Sequence, residues 1–498
     1  MRNEIAKIGL TTRLLEIATG LSSLVILTSP FWASFFVPEI VAWFIILFDI
    51  YFFYKASLLG INSVRSYLRI KQTRQTNWLK KLKEENIDFS KIHHLVFIPT
   101  YREPLEILER TLHFLSKQEF PTKKIDIVIA TEERESEADE KIKVLSAGYS
   151  NKFGHLWVTK HTLQPGEVAG KSSNLAFASR EVKKLIEEAG YDKDLITVTS
   201  CDADVSLPEK YYSNLTYLFL RNENRYLRFW QGALVFYNNI WRVPIFVRVV
   251  HTIYSISGVA ELMRPKSNFN YSTYSLSWRL LEETDFWDVD VVAEDWHLFF
   301  KAFFSHSGKI ELESVFLPLH ADAVEGQSYW KSAVAQYAQN RRWAWGATDV
   351  AYALKQFLRH RQDIPLSNFA FRFLAALQQH LLWPVTWWIL TLGATIPPLI
   401  NREFARTALG FYLPKVSGLI LTTTTIFIVS VIVIDWLLRP PQPGTDKKRF
   451  SPLSILQYLL LPVTGFFFGS LPGMDAHTRL IFGKRIEYRA TEKFVKKQ

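Results

Sequence analysis

The sequence predicts a parallel α/β domain held between membrane-spanning helices, and three observations lead there. Long uncharged runs flank both ends of the 498-residue chain. Between them, short β-like runs alternate with amphipathic helical stretches. The composition joins 15% aromatic residues, among them 16 Trp and 37 Phe, to a formal charge of +11. That length allows two or more units, each with its own core. A basic chain with long apolar runs fits a membrane protein with basic cytoplasmic loops better than a nucleic-acid binder. Membrane lipid is therefore an expected partner and nucleic acid is not. Cys201 is the only cysteine, which excludes an intramolecular disulfide framework and suits a reducing environment.

The first unit, residues 1–61, reads as a transmembrane hairpin. Residues 17–37, "IATGLSSLVILTSPFWASFFV", carry no charge and are long enough to cross a bilayer. A second run, "IVAWFIILFDIYFFY", follows after "PE" and holds only Asp49. A cleavable signal peptide is disfavoured, because no small-residue cleavage site ends the first run and another span follows at once. Arg2, Lys7 and Arg13 precede the hairpin, and Lys55, Arg65, Arg69, Lys71 and Arg74 follow it. The positive-inside rule then puts both ends in the cytoplasm.

The second unit, 62–365, alternates strands and helices. "HLVFIPT", "IDIVIAT", "HLWVTKH" and "DLITVTS" read as strands, and "PLEILERTLHFLSK" and "NLAFASREVKKLIEEAG" as helices between them. The alternation predicts a parallel sheet with crossover helices and a ligand site at the carboxyl ends of the strands. The third unit, 366–498, returns to the membrane with spans expected near 375–399, 414–438 and 451–473. Its loop "RPPQPGTDKKRF" is basic and expected to be cytoplasmic. Three full spans would put the basic tail "RLIFGKRIEYRATEKFVKKQ" outside, against the charge rule. Either the stretch broken by Pro462 is re-entrant or one run counts twice, giving about five to six spans in all.

The chemistry-bearing residues follow the strands. "TSCDADVSLP" sets Asp202 and Asp204 one residue apart after the fourth strand. In an extended segment their carboxylates face one spot. A divalent cation between them and a phosphate makes their repulsion tolerable, and hard oxygen ligands select Mg²⁺ or Mn²⁺. Alone, the pair also fits an ordinary acidic turn. "IPTYREP" follows the first strand, "AEDWHL" opens an amphipathic helix, and "QNRRW" lies on a helical stretch. Gln339, Arg342 and Trp343 share one helical face. The bland reading of that helix is an interfacial one with Trp330 and Trp345 as anchors. Among the histidines, only His93 and His94 form a close pair, and His297 reads as a residue packing in the site wall. The chain has no Walker loop, no G-x-S-x-G and no G-x-G-x-x-G.

In that order these motifs resemble the membrane-embedded family-2 glycosyltransferases, the group of cellulose, chitin and hyaluronan synthases. Their signature is an acidic residue, D-x-D, E-D and Q-x-x-R-W between transmembrane segments. The resemblance covers about residues 93–350 in motif detail. It implies a GT-A-like cytosolic glycosyltransferase domain plus an α-helical transmembrane bundle. The enzyme would be a multi-pass protein of the cell membrane with its catalytic domain in the cytoplasm.

The implied donor is a nucleotide-diphosphate sugar, with a UDP-sugar expected. Pro99, Thr100, Tyr101 and Glu103 match the nucleotide-binding loop, where the tyrosine would line the uracil. Lys171 in "GKSSNLAFA" suits a diphosphate and opens a helix whose N-terminus favours anions. Asp202 and Asp204 would hold the metal. Asp295 would be the catalytic base, kept ionised by its place at a helix start, with Glu294 tuning it. Arg342 suits the leaving diphosphate and Trp343 a sugar face.

One departure stands out: where the family carries two aspartates after the second strand this chain has "IATEER", so Glu132 or Glu133 must serve. Ala293 also replaces the commoner threonine. The expected reaction is inverting transfer to a growing polysaccharide. Transfer of a single sugar to a membrane lipid is the alternative, and an inactive membrane transporter or scaffold is a reading of another class. Trp383 and Trp387 in "LLWPVTWWIL" are expected to share a helix face, lining a glycan path or forming an interfacial belt.

Overall fold

The computed structural model describes residues 9–444 and 453–486. Arg2 and Lys7, the basic residues Lys447, Lys448 and Arg449 of the expected cytoplasmic loop, and the tail beyond 486 lie outside the described residues.

The α/β domain is built on one seven-stranded sheet. Its strands are β1 (His93–Pro99), β2 (Ile125–Glu132), β3 (Leu156–His161), β4 (Ile196–Ser200), β5 (Arg228–Val235), β6 (Tyr274–Ser277) and β7 (Glu311–His320). Their spatial order is β3-β2-β1-β4-β6-β5-β7. All neighbours are parallel except β6, which runs antiparallel to both β4 and β5. The four strands expected from sequence are present within two residues of their expected ends, and the Lys171–Glu188 helix starts three residues earlier than "NLAFASREVKKLIEEAG".

Side chains alternate across the sheet, and both faces are covered. Val96 and Ile98 of β1 enter one core with Leu108, Leu112 and Ile127. Leu95 and Phe97 enter the other with Leu175, Val182 and Phe299. His94 sits inside the first face between the Thr197 and Thr216 hydroxyls. β2 and β3 lie on one side of β1 and β4 on the other, so the strand order reverses beside β1. That is where an open α/β sheet forms its ligand crevice. The mixed sheet and its flanking apolar helices make a GT-A-like α/β domain joined to a helical bundle.

Among the described residues four helical segments are long and apolar enough to cross a membrane: Leu10–Phe35, Pro38–Gln75, Ala408–Leu438 and Gln457–Phe482. The expected count of about five to six is not reached among the described residues. The expected span 375–399 is divided, because the helix Leu366–Leu382 stops at Trp383 and a new one starts at Thr386. Pro384 sits in the break, where its ring and missing N–H disrupt the helical ladder. Within the expected 451–473 segment the described residues form a continuous helical stretch from Gln457. It continues through a π-helical turn at Phe466–Ser470 and on to Phe482. The Pro38–Gln75 helix has no break at residue 61, and it carries Ile70 into the core of the α/β domain.

The interruption at Trp383 changes how the tryptophans are used. Trp387 lies against Gly465 and Gly469, where an added Cβ would meet its ring atoms at 2.2 Å and 3.1 Å. Trp383 lies against Gly473 in the same way, at 2.9 Å. Small residues spaced by four let a neighbour approach a helix backbone. Gly465→Ala forces that contact apart, and a stability loss of about 1–3 kcal/mol is expected. A thermal melt of the detergent-purified protein measures it.

Candidate active site

The carboxyl ends of β1 and β4 open onto a cavity of about 500 Å³. Every expected site residue except Glu133 lines it. Glu133 is exposed, while Glu132 is buried and paired with the Arg134 guanidinium. Alternation at the end of β2 accounts for the difference, since adjacent residues of a strand point to opposite sides.

After β1 the chain turns sharply. Arg102 adopts a left-handed conformation, φ +66°. The Glu103 carboxylate accepts from the Thr100 hydroxyl at 2.8 Å and from the Tyr101 N–H. Glu135 accepts the Arg102 N–H at 2.8 Å and pairs with Lys141 at 2.6 Å, fixing the turn from outside. The Tyr101 ring has the Arg134 and Arg102 guanidinium carbons 4.6 Å and 5.0 Å from its centre. Such rings stack readily on flat π-systems and cations.

Asp202 and Asp204 do not lie on an extended segment. The chain turns at Ala203 and Asp204, with the Val205 N–H donating to the Asp202 carbonyl at 3.0 Å. Both residues line the cavity but contact different neighbours. Asp204 accepts the Asp322 N–H at 3.3 Å, from the loop after β7. Asp202 contacts Lys171 at 2.7 Å and accepts the Ser272 hydroxyl.

Lys171 is no solvated surface lysine. Its ammonium meets Asp202 and Glu294 at 2.7 Å each and donates to the Ser272 carbonyl at 2.7 Å. An ammonium has three protons, and three acceptors surround this one. Burial works against its charge, but the Asp202 and Glu294 carboxylates outweigh burial and hold its pKa well above the ordinary value. Ser272, in a left-handed conformation at φ +56°, joins the acidic residues. Its N–H donates to Asp295 Oδ2 at 3.1 Å, its hydroxyl to Asp202, and its carbonyl accepts from Lys171.

Glu294 and Asp295 begin the helix Glu294–Ser305. The Trp296 N–H donates to Asp295 Oδ1 at 2.9 Å, so the aspartate also serves the helix start. Asp295 faces the cavity, not bulk solvent. Burial, the largest influence, raises its pKa despite Lys171 and those two N–H groups. Desolvation thus works against the ionised form that the helix start and these donors favour. Glu294, fully enclosed, is pushed by burial to about 7 against the opposing pull of Lys171.

A second charged network lies behind this helix. His297 bridges Asp288 at 2.9 Å and Asp349 at 3.0 Å. Burial disfavours its cation, but both carboxylates outweigh burial and lift it to about 9. Asp349 lines the cavity. His297 itself does not line the cavity; it reaches the cavity through Asp349, and the two carboxylates favour its imidazolium form.

On the helix Tyr329–Ala344, Gln339, Arg342 and Trp343 face the cavity together. The Trp343 ring packs at 5.4 Å on Tyr254 and 6.3 Å on Phe236. Trp330 is exposed, but Trp345 is buried with Ala476 and Leu480, so it is no interfacial anchor. Trp383 also lines the cavity, whereas Trp387 does not; the helix break separates the expected pair.

Residues 197–438 match the family model of glycosyl transferase family group 2. That stretch runs from β4 through the Q-x-x-R-W helix and supports a glycosyltransferase of family 2. It is a little under half of the chain and leaves out β1–β3 and Lys171. No curated protein matched the chain.

Solved structures with partial likeness include a mannosyltransferase from Pyrobaculum calidifontis in complex with GDP-Man and Mn²⁺. It is 17% identical, with a TM-score of 0.44 over 78% of this chain and 98% of that one. A second is S. aureus TarS 1-349 with UDP-GlcNAc, 14% identical, TM-score 0.32, over 68% and 90% of the two chains. A third is GalNAc-T7 with UDP, GalNAc and Mn²⁺, 14% identical, TM-score 0.33, over 60% and 59%.

A divalent ion fits the donor set at the turn after β4. Asp202, Asp204 and Asp322 all line the cavity and offer only oxygen. Among the described residues no three His, Cys, Asp or Glu side chains can hold an ion by themselves. Magnesium and manganese need only one or two protein carboxylates when phosphates and water complete the shell. The residues present therefore suit an ion that arrives with a nucleotide.

Proposed function

We propose that this protein is a membrane-bound inverting glycosyltransferase that takes a sugar from a nucleotide-diphosphate sugar, with UDP as the nucleotide. The acceptor is the hydroxylated end of a growing glycan. The observation that carries this reading is the meeting of Asp202, Asp204, Asp295, Arg342 and Trp343 around one cavity, from segments far apart in sequence. The family-group-2 match over 197–438 supports the same reaction class. The four apolar helices support an integral membrane protein, and the basic residues Arg65, Arg69, Lys71 and Arg74 at the end of the second favour a cytoplasmic α/β domain.

Tyr101 stacks against the base, and Glu132 rather than Glu133 stands at the nucleotide end. Asp204, with Asp202, holds a divalent ion, which when bound neutralises diphosphate charge. Arg342 holds the departing diphosphate. Asp295 takes the proton from the acceptor hydroxyl. That oxygen forms the new bond to the anomeric carbon as the carbon–phosphate-oxygen bond breaks, and its electron pair leaves with the diphosphate. Attack from the side opposite the leaving group inverts the anomeric centre.

Lys171, surrounded by Asp202, Glu294 and Ser272, favours the ionised form of the acidic residues against the effect of burial. Its charge lowers the pKa of both Glu294 and Asp295. Removing it raises both, so the base is protonated over a wider acidic range. Lys171→Met should therefore lower kcat/KM and move the acidic limb of its pH profile to higher pH. A limb that stays in place removes these carboxylates from the rate-determining ionisation.

The function is tested by incubating the full-length protein in detergent with radiolabelled UDP- and GDP-sugars. The products are then separated by size and by extraction into organic solvent. A labelled saccharide larger than the acceptor supports glycan elongation. Label entering only a single-sugar lipid replaces that acceptor, and no product from any donor rejects the reaction.

A further inference from the structure

The cavity extends beyond the residues that the proposed reaction uses. At that end stands His380, near the end of the helix Leu366–Leu382, with Gln379 beside it and Trp383 one turn on. His380 lines the cavity, yet the residue is only 4% exposed. Neither of its ring nitrogens has a hydrogen-bond partner among the described residues. A buried polar group without a partner is costly, and native structures keep few of them.

The ring is held by its neighbours. It packs edge-on against Trp296, the residue after Asp295, with ring centres 5.0 Å apart. It also lies on the bare backbone of Gly346, where a Cβ would come 2.9 Å from Cε1 and 3.3 Å from Nε2. The imidazole is thus packed in place, with the Gly346 backbone against its Cε1–Nε2 edge, while neither nitrogen has a protein partner among the described residues.

We infer that His380, with Trp383 and Gln379, forms the subsite for the terminal sugar of a neutral acceptor glycan. This rests on the glycosyltransferase reading above. A neutral imidazole offers one N–H donor and one acceptor nitrogen, the complement of a sugar hydroxyl. The Trp383 indole offers the flat apolar face on which a pyranose lies. Of the Lys and Arg side chains lining this cavity, Lys171 is enclosed by Asp202 and Glu294 and Arg342 faces the departing diphosphate. Beside Glu261 and Asp349 a phosphate-bearing acceptor therefore finds no lysine or arginine of its own. Trp296 connects the subsite to the base, so a sugar held at His380 can present a hydroxyl towards Asp295.

The test uses full-length protein in detergent with the donor that the panel above selects. Its acceptor probes are cellotetraose, chitotetraose, mannotetraose and undecaprenyl phosphate, and transfer is followed as a function of acceptor concentration. His380→Phe keeps a ring against Trp296 and removes both polar atoms, and His380→Gln keeps a donor and an acceptor. With a saccharide that wild type accepts, His380→Phe should raise the acceptor KM about tenfold and change kcat much less. His380→Gln should recover most of that loss.

An unchanged acceptor KM in His380→Phe would overturn the inference, because the ring would then serve only packing. Stimulation of wild type by undecaprenyl phosphate and by none of the tetrasaccharides would overturn it too. The glycosyltransferase reading fails separately, and takes the subsite with it, when wild type releases no nucleotide from any donor.

Discussion

Asp295→Asn abolishes measurable sugar transfer, a loss on the order of 100-fold or more in turnover, while nucleotide binding is largely kept. The amide preserves the shape at the start of the Glu294–Ser305 helix but cannot take a proton from the acceptor hydroxyl. Two backbone N–H groups, from Ser272 and Trp296, hold the carboxylate oxygens, so the side chain is positioned before any ligand arrives. Burial raises its pKa, which makes it a better base once it is ionised. Transfer assays paired with calorimetric titration of UDP and Mn²⁺ separate the two effects. An equal loss of nucleotide affinity would move Asp295 from the base role into the binding site.

Asp204→Ala has a comparably large effect for a different reason. It removes a buried carboxylate at the turn after β4 and leaves the Asp322 N–H without that acceptor. Transfer should fall to background, and added Mg²⁺ or Mn²⁺ should no longer stimulate it. Asp202 cannot substitute freely, because Lys171 and the Ser272 hydroxyl already engage it. Activity that persists in excess chelator, in wild type or variant, would end the metal reading.

The sequence displays some parts of this molecule and conceals others for physical reasons. β1 and β2 are buried on both faces and read as mostly apolar runs, while the equally buried β4 alternates Ile196 and Val198 with threonines. β5 carries Arg228 and Gln231, β7 carries Pro318 and alternating glutamates, and β6 has only four residues. No local pattern marks them, and the antiparallel insertion of β6 is decided by tertiary packing. The motif residues converge on the cavity because they follow strand ends, open a helix that faces it or, for Gln339, Arg342 and Trp343, share the last turns of one.

Local periodicity also misleads in places. It places Asp202 and Asp204 on an extended segment, where the chain in fact turns. It pairs Trp383 with Trp387, and both meet glycines of one helical segment, but only Trp383 lines the cavity. Ser272, Glu135, Asp349 and His380 lie outside every recognisable motif. Their importance comes from contacts across long loops, which spacing cannot show. His297 is intermediate: its place on the helix after the E-D pair is legible, but its two carboxylate partners are not.

The most direct measurement of the central claim is nucleoside diphosphate release from sugar nucleotides by the purified full-length protein. Wild type and Asp295→Asn are compared with Mn²⁺ and with chelator. The cavity chemistry predicts release by wild type in Mn²⁺ from at least one donor. It predicts little release with chelator and little from Asp295→Asn in either condition. Equal release from wild type and Asp295→Asn, or none from wild type with any UDP- or GDP-sugar, would contradict it.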